Sequence, residues 1–152
     1  MSTELLKRVL VVDDDASTCE LLTAVLEQHG LQVDVASDGQ QALDLLRGTS
    51  YAVVLLDLIM PVLDGFAVLD RMGEEGRSLP VVLVVTGADR DAISQLDSQR
   101  IQGIVRKPFD SEELAELVVA CAEIRGRLKL ETMAIATMLA GSPFLALLNR
   151  LT

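Results

Sequence analysis

The sequence predicts an α/β fold, a doubly wound five-stranded parallel sheet with helices on both faces and a C-terminal helical extension. Three observations lead there. Short apolar runs of β-forming residues recur five times, helix-like stretches separate most of them, and several of the runs contain no polar residue at all. A strand that is apolar on both faces belongs in a sheet covered on both sides, which is the parallel arrangement.

The β-type runs are Arg8 to Val12, Gln32 to Ala36, Ala52 to Leu56, Val81 to Val85 and Gly103 to Val105. Val9 to Val12, Val53 to Leu56 and Val81 to Val85 are continuously apolar and are expected to be buried on both faces. Between them, Leu21, Leu22, Val25 and Leu26 form one helical stripe that stops at Gly30. Ala42, Leu43, Leu45 and Leu46 form another that stops at Gly48, and both glycines read as C-terminal caps. A third helix follows Gly65 through Phe66, Val68, Leu69 and Met72, and a more polar fourth lies between Asp89 and Arg100. A fifth opens at Asp110-Ser111-Glu112-Glu113, where a capping side chain precedes acids in the first turn, and continues through Leu114, Leu117, Val118 and Cys121.

The chain has 152 residues, half of them apolar and 24% charged, which suits one globular core with a short appendage. A formal net charge of −10 argues against a surface that grips nucleic acid by itself. Cys19 and Cys121 fall in helical patterns outside any metal or redox spacing, as expected of reduced core residues in a cytoplasmic protein. Met1 to Lys7 carries Glu4 and no apolar run, and nothing in it resembles a secretory signal. The longest uncharged stretch, Thr132 to Asn149, is broken by Gly141-Ser142-Pro143 and falls short of the ~20 residues of a spanning helix.

Right-handed crossovers bring the C-terminal end of every strand to one edge, where open α/β sheets bind ligands. The polar residues at those ends are Asp13-Asp14-Asp15, Asp57, Thr86 and Arg106-Lys107-Pro108. Clustered carboxylates repel unless a cation lies among them, and a few hard oxygen ligands suit Mg²⁺ with water completing its shell. Asp13, Asp14 and Asp57 are the candidate metal residues. An aspartate can also attack phosphorus to give an acyl phosphate if the transferring charge is neutralised, and Lys107 and Thr86 stand ready to contact it. Asp15 reads as a helix cap. His29, the only histidine, reads as a helix-end or surface residue, Asp64-Gly65 as a turn and helix start, and Arg90 and Arg106 as solvated or partner-facing.

Taken together, Val11-Val12-Asp13-Asp14-Asp15, Asp57-Leu58-Ile59-Met60-Pro61 with Asp64-Gly65, Val84-Val85-Thr86-Gly87, and Lys107-Pro108-Phe109 resemble the motifs of response-regulator receiver domains, typified by the bacterial chemotaxis regulator. The resemblance spans about residues 7 to 125. It implies a flavodoxin-like strand order 2-1-3-4-5 and a cis bond before Pro108. It further implies Asp57 as phosphoacceptor, Asp13 and Asp14 as metal acids, the backbone carbonyl of Ile59 as another Mg²⁺ ligand, Thr86 as the switch hydroxyl and Lys107 as the phosphate contact. A histidine kinase or phosphotransfer protein would be the donor, and a downstream protein or a separate output domain the recipient of the signal.

Three positions depart from the family pattern. Ile104 stands where an aromatic usually lies three residues before the lysine. Gly87 replaces a small alanine, and Ile59 offers no polar side chain to guide water, which suggests slow autodephosphorylation at most. The residues alone leave open a docking module that no longer takes phosphate, and a phosphatase using Asp57 as nucleophile. The domain division expected is 1–125 for the receiver and 126–152 for a helical extension, too short for an output domain. In it Leu128, Leu130, Met133, Ile135, Met138 and Leu139 continue the last helix, Gly141-Ser142-Pro143 breaks it, and Phe144 to Leu151 can form another. Such a tail suits self-association, docking on the receiver or a junction to a missing output.

Overall fold

The computed structural model describes residues 7–74 and 79–138. Strands β1 (Arg8–Val12), β2 (Gln32–Ala36), β3 (Val53–Leu56), β4 (Val81–Thr86) and β5 (Gly103–Arg106) alternate with helices α1 (Ala16–Gln28), α2 (Gly39–Gly48), α3 (Gly65–Glu74), α4 (Arg90–Ser94) and α5 (Ser111–Met138). All five strands are parallel, in the order β2-β1-β3-β4-β5, as expected.

Alternation along the strands divides the core into two layers. Val9, Val11, Val53, Leu55, Leu83 and Val85 face Leu22 and Leu26 of α1 and Leu114 and Val118 of α5. Leu10, Val12, Val54, Leu56 and Val82 face Ala42 and Leu43 of α2 and Val68, Leu69 and Met72 of α3. Every residue of β3 is buried, whereas the edge strands β2 and β5 are only partly covered. This burial explains why the uninterrupted apolar runs belong to the three central strands.

Helix ends follow local chemistry. Asp15, Asp38 and Asp89 cap α1, α2 and α4 by accepting from backbone N–H groups, and Asp110 accepts from Glu112 and Glu113 at the start of α5. Gly30, at φ +83°, turns the chain out of α1 as expected. Gly48 does not play that part: it is the last residue of α2, and Thr49 caps the helix with extended backbone. Leu21 is half exposed and lies off the buried stripe of α1, which Cys19 completes instead. The polar stretch from Asp89 to Arg100 forms only five residues of helix, none of them buried.

Helix α5 continues unbroken past residue 125 to Met138, 28 residues in all, and leaves Leu117, Ile124, Leu128, Leu130 and Ile135 exposed. Leu139, the Gly141-Ser142-Pro143 break and the helix expected from Phe144 to Leu151 lie outside the described residues. Among the described residues no helix is long and apolar enough to cross a membrane.

Tyr51, just before β3, is buried and donates its hydroxyl to Asp34 Oδ2 at 2.7 Å, while Arg8 Nη1 lies 3.3 Å from the same oxygen. Burial, and then the bond to Asp34, push the phenol's pKa well above its ordinary value. The proton is therefore held more tightly in the folded chain than in the unfolded one. The stability this contributes is complete below the ordinary phenol pKa of about 10 and is lost as pH rises from there toward the folded value. Tyr51→Phe should unfold more easily at neutral pH, by about 1 kcal/mol, yet lose less stability between about pH 10 and 12. Urea unfolding across that range checks this, and parallel pH curves for the two proteins would contradict it.

Candidate functional site

Strand ends β1, β3, β4 and β5 meet at one edge of the sheet, and each delivers a polar side chain there. Asp13 and Asp14 follow β1, Asp57 follows β3, Thr86 ends β4 and Lys107 follows β5. Asp13 is 4% exposed, Asp57 7% and Thr86 not at all, whereas Asp14 is open to solvent. Carboxylate oxygens of Asp13, Asp14 and Asp57 lie within 4.8 Å of one another.

Each buried group has a partner. Lys107 Nζ donates to Asp13 Oδ2 at 2.6 Å and to Asp57 Oδ2 at 3.0 Å. The Thr86 hydroxyl donates to Asp57 Oδ1 at 2.8 Å, and the Ile59 N–H approaches the same oxygen at 3.3 Å. Asp13 Oδ1 accepts from the Asp15 N–H at 2.9 Å. Burial opposes the charge on Lys107, but the bonds and attraction from Asp13 and Asp57 outweigh it, so its pKa stands above the ordinary lysine value. Three carboxylates against one ammonium leave two formal negative charges at the pocket, the complement a divalent cation neutralises.

The backbone is arranged as closely as the side chains. Lys107-Pro108 is a cis peptide bond, as expected. Gly65 N–H bonds to Leu58 O at 3.0 Å, and a Cβ at Gly65 would lie 2.3 Å from the carbonyl oxygen of Asp57. Only glycine lets the start of α3 lie this close beneath the loop carrying Asp57. Val62, in the same loop, has φ 68°, an uncommon conformation for a β-branched residue, and is 83% exposed. Asp64 caps the helix by accepting from the Ala67 N–H, as its sequence context predicts.

Cys19 lies under the acidic cluster with its Sγ 3.3 Å from the Asp13 carbonyl, and burial together with Asp13 and Asp15 pushes its thiol up to about 11. It also lines a trough of about 480 Å³ between α1 and β2, with Asp13, Asp14, Glu20, Val35 and Ser37. Cys121 is only partly buried. His29 lies at the end of α1 with its Nε2 2.9 Å from Glu112 Oε2, away from the acidic cluster. Arg90 and Arg106 are exposed, as is the Ile59 side chain. The backbone N–H groups of Asp15, Ile59 and Ala88 complete the arrangement, and sequence reading missed them. Backbone groups carry no residue signature, although a polar group two residues upstream of each marks a short local turn.

Residues 9–119 match the family model of the response regulator receiver domain, and the chain belongs to that family. It is 40% identical over 114 residues to the response regulator MprA of Mycolicibacterium vanbaalenii, a match covering 70% of this chain and 46% of the relative. It is 37% identical over 124 residues to the DNA-binding response regulator MtrA of Mycobacterium tuberculosis, covering 81% of this chain and 51% of MtrA. The chain thus spans about half the length of the curated relatives it matches. Among solved structures it resembles the Thermotoga maritima response regulator TrrA in complex with Mg²⁺-BeF, at TM-score 0.67 and 31% identity, over 76% of this chain and 98% of that one. A Francisella response regulator receiver domain matches at TM-score 0.69 and 28% identity, over 77% and 97%. The chain is accordingly a receiver module of two-component signalling with an acidic pocket suited to a divalent cation.

Gly65→Ala should force the Asp57 backbone and the start of α3 apart and cost about 1–3 kcal/mol in urea unfolding, as overpacked sites do. Wild-type stability in the variant would show that this approach is not rigid.

Proposed function

We propose that Asp57 accepts a phosphoryl group from a histidine kinase or phosphotransfer protein, and that the modified domain presents a changed surface to a downstream protein, to an output domain or to a second copy of itself. The observation that carries this reading is the Asp57 carboxylate, buried yet shared between the Thr86 hydroxyl at 2.8 Å and the Lys107 ammonium at 3.0 Å. In the transfer, one Asp57 oxygen forms a bond to phosphorus while the bond from phosphorus to the donor breaks, and the electron pair leaves with the donor. Lys107 neutralises charge on the phosphoryl oxygens. Asp13, Asp14, Asp57 and the Ile59 carbonyl would hold Mg²⁺, which when bound neutralises negative charge on the transferring group. The two formal negative charges left in the pocket, Asp57 counted among its three carboxylates, fit that ion.

Thr86 is placed to transmit the change. Its oxygen donates to Asp57 and accepts from the Ala88 N–H at 3.2 Å, so it joins the acceptor to the first residues after β4. Phosphorylation offers the hydroxyl new acceptors and biases that segment between two arrangements. Ile104, 42% exposed on β5, stands where the family usually has an aromatic, so a switch through Thr86 would act without that ring. In this reading the chain is a phosphoacceptor and not a turnover enzyme. The apolar Ile59 side chain, 63% exposed, places no polar group for attacking water, in keeping with slow autodephosphorylation. The exposed apolar residues of α5 support self-association, and the net charge of −10 speaks against direct nucleic-acid binding by this chain. A cytoplasmic place follows from a kinase-borne phosphoryl group and free thiols.

Intact mass after incubation with acetyl phosphate and Mg²⁺ tests the proposal. One phosphoryl adduct is expected, absent without Mg²⁺ and absent in Asp57→Asn. No adduct on the wild type would leave a docking module, and steady hydrolysis of an aryl phosphate, abolished in Asp57→Asn, would make the chain a phosphatase.

A further inference from the structure

The stretch between β4 and β5 is lightly packed on the rest of the described fold. It holds only the five-residue α4, none of whose residues is buried. Its apolar side chains, Ala88, Ala92, Ile93, Leu96 and Ile101, gather on Leu58, Val84 and Phe66 in a small cluster of which only Leu58, Val84 and Ala88 are fully buried. Small satellite clusters of this kind open locally more easily than the main core.

Polar attachments hold the stretch at both ends. At the start, the Ala88 N–H bonds to the Thr86 hydroxyl that also holds Asp57. Near the end, Gln102 pairs with β4, its N–H donating to the Val82 carbonyl at 2.9 Å and its Oε1 accepting from the Val82 N–H at 2.6 Å, and Arg100 reaches across to α3. Its Nη1 donates to Asp70 Oδ1 at 2.8 Å and lies 3.5 Å from the Leu69 carbonyl, while its Nε lies 3.5 Å from Asp97 Oδ2. The guanidinium lies along α3 at Gly73, where a Cβ would sit 3.7 Å from Cζ. The fork thus joins a carboxylate on α3, a carbonyl of the same helix and a carboxylate of its own loop, a geometry an ammonium cannot reproduce.

We propose that Arg100 is a latch: by clamping the segment 87–102 to α3 it sets how readily that segment rearranges when the Thr86–Asp57 contact changes. A pair this exposed stabilises modestly, which suits a latch that must release. The functional half of the inference rests on Asp57 being the phosphoacceptor; the mechanical half does not. Gln102 ties the end of the segment to β4, and Arg100 ties it sideways to α3, so loosening the α3 clamp lowers the cost of moving the Thr86 end, and the coupling runs equally in both directions.

Hydrogen exchange on the full chain separates the two halves. In Arg100→Gln and in Asp70→Asn, amides of 87–102 should exchange about threefold faster than in the wild type, while those of β1 and β3 remain unchanged. The double variant should be no faster than Arg100→Gln, and Arg100→Lys should fall between. Unchanged exchange in 87–102, or a uniform rise that includes β1 and β3, would overturn the latch. Titration with beryllofluoride and Mg²⁺, a mimic of the phosphoryl group, should then show a lower midpoint in Arg100→Gln. A response with the same midpoint in both proteins would overturn the coupling, whereas no response in either would overturn the phosphoacceptor reading and leave the exchange result to decide the latch.

Discussion

The ammonium of Lys107 sits between two carboxylates that chain order keeps far apart, Asp13 after the first strand and Asp57 after the third. Asp13 and Asp57 are both nearly buried, and burying two acids side by side is unfavourable unless a cation lies on them. Lys107 supplies that cation from the edge strand β5, across β4, so β1, β3, β4 and β5 must all be in place before the acids are compensated. The close approach of Gly65 to Asp57 holds the backbone on the Asp57 side of this contact.

One ammonium does not balance the pocket. Asp14 adds a third carboxylate, exposed to solvent, within reach of the other two. The remaining charge makes the pocket receptive to a divalent cation, and the same charge would repel an incoming phosphoryl group without one. In the proposed function, metal binding and phosphoryl transfer would draw on this one set of residues. Asp57 stands at the centre of the set: it touches the Lys107 ammonium on one oxygen and the Thr86 hydroxyl on the other.

Much of this was legible in the residues. The unbroken apolar runs of β1, β3 and β4 mark strands with helices on both sides, and chain reversal through helices brings Asp13, Asp57, Thr86 and Lys107 to one edge. Where reading failed, tertiary context prevailed over local pattern. The Asp89 to Arg100 stretch contains enough helix formers for three turns, but its apolar residues are better placed in the cluster on Leu58 and Val84, and the helix stops at Ser94. Gly48 looks like a cap by type, yet no left-handed residue is needed where Thr49 turns into extended backbone. The backbone N–H groups around Asp13, Asp57 and Thr86, and the reach of Arg100 to Asp70, depend on distances between elements that no local sequence pattern specifies.

Calorimetric titration of the wild-type chain with Mg²⁺, beside Asp57→Asn and Asp13→Asn, bears on the central electrostatic claim. A single saturable site, weakened at least tenfold by either substitution, is the result these charges predict. Absence of saturable binding at millimolar Mg²⁺, or binding indifferent to Asp57, would contradict it.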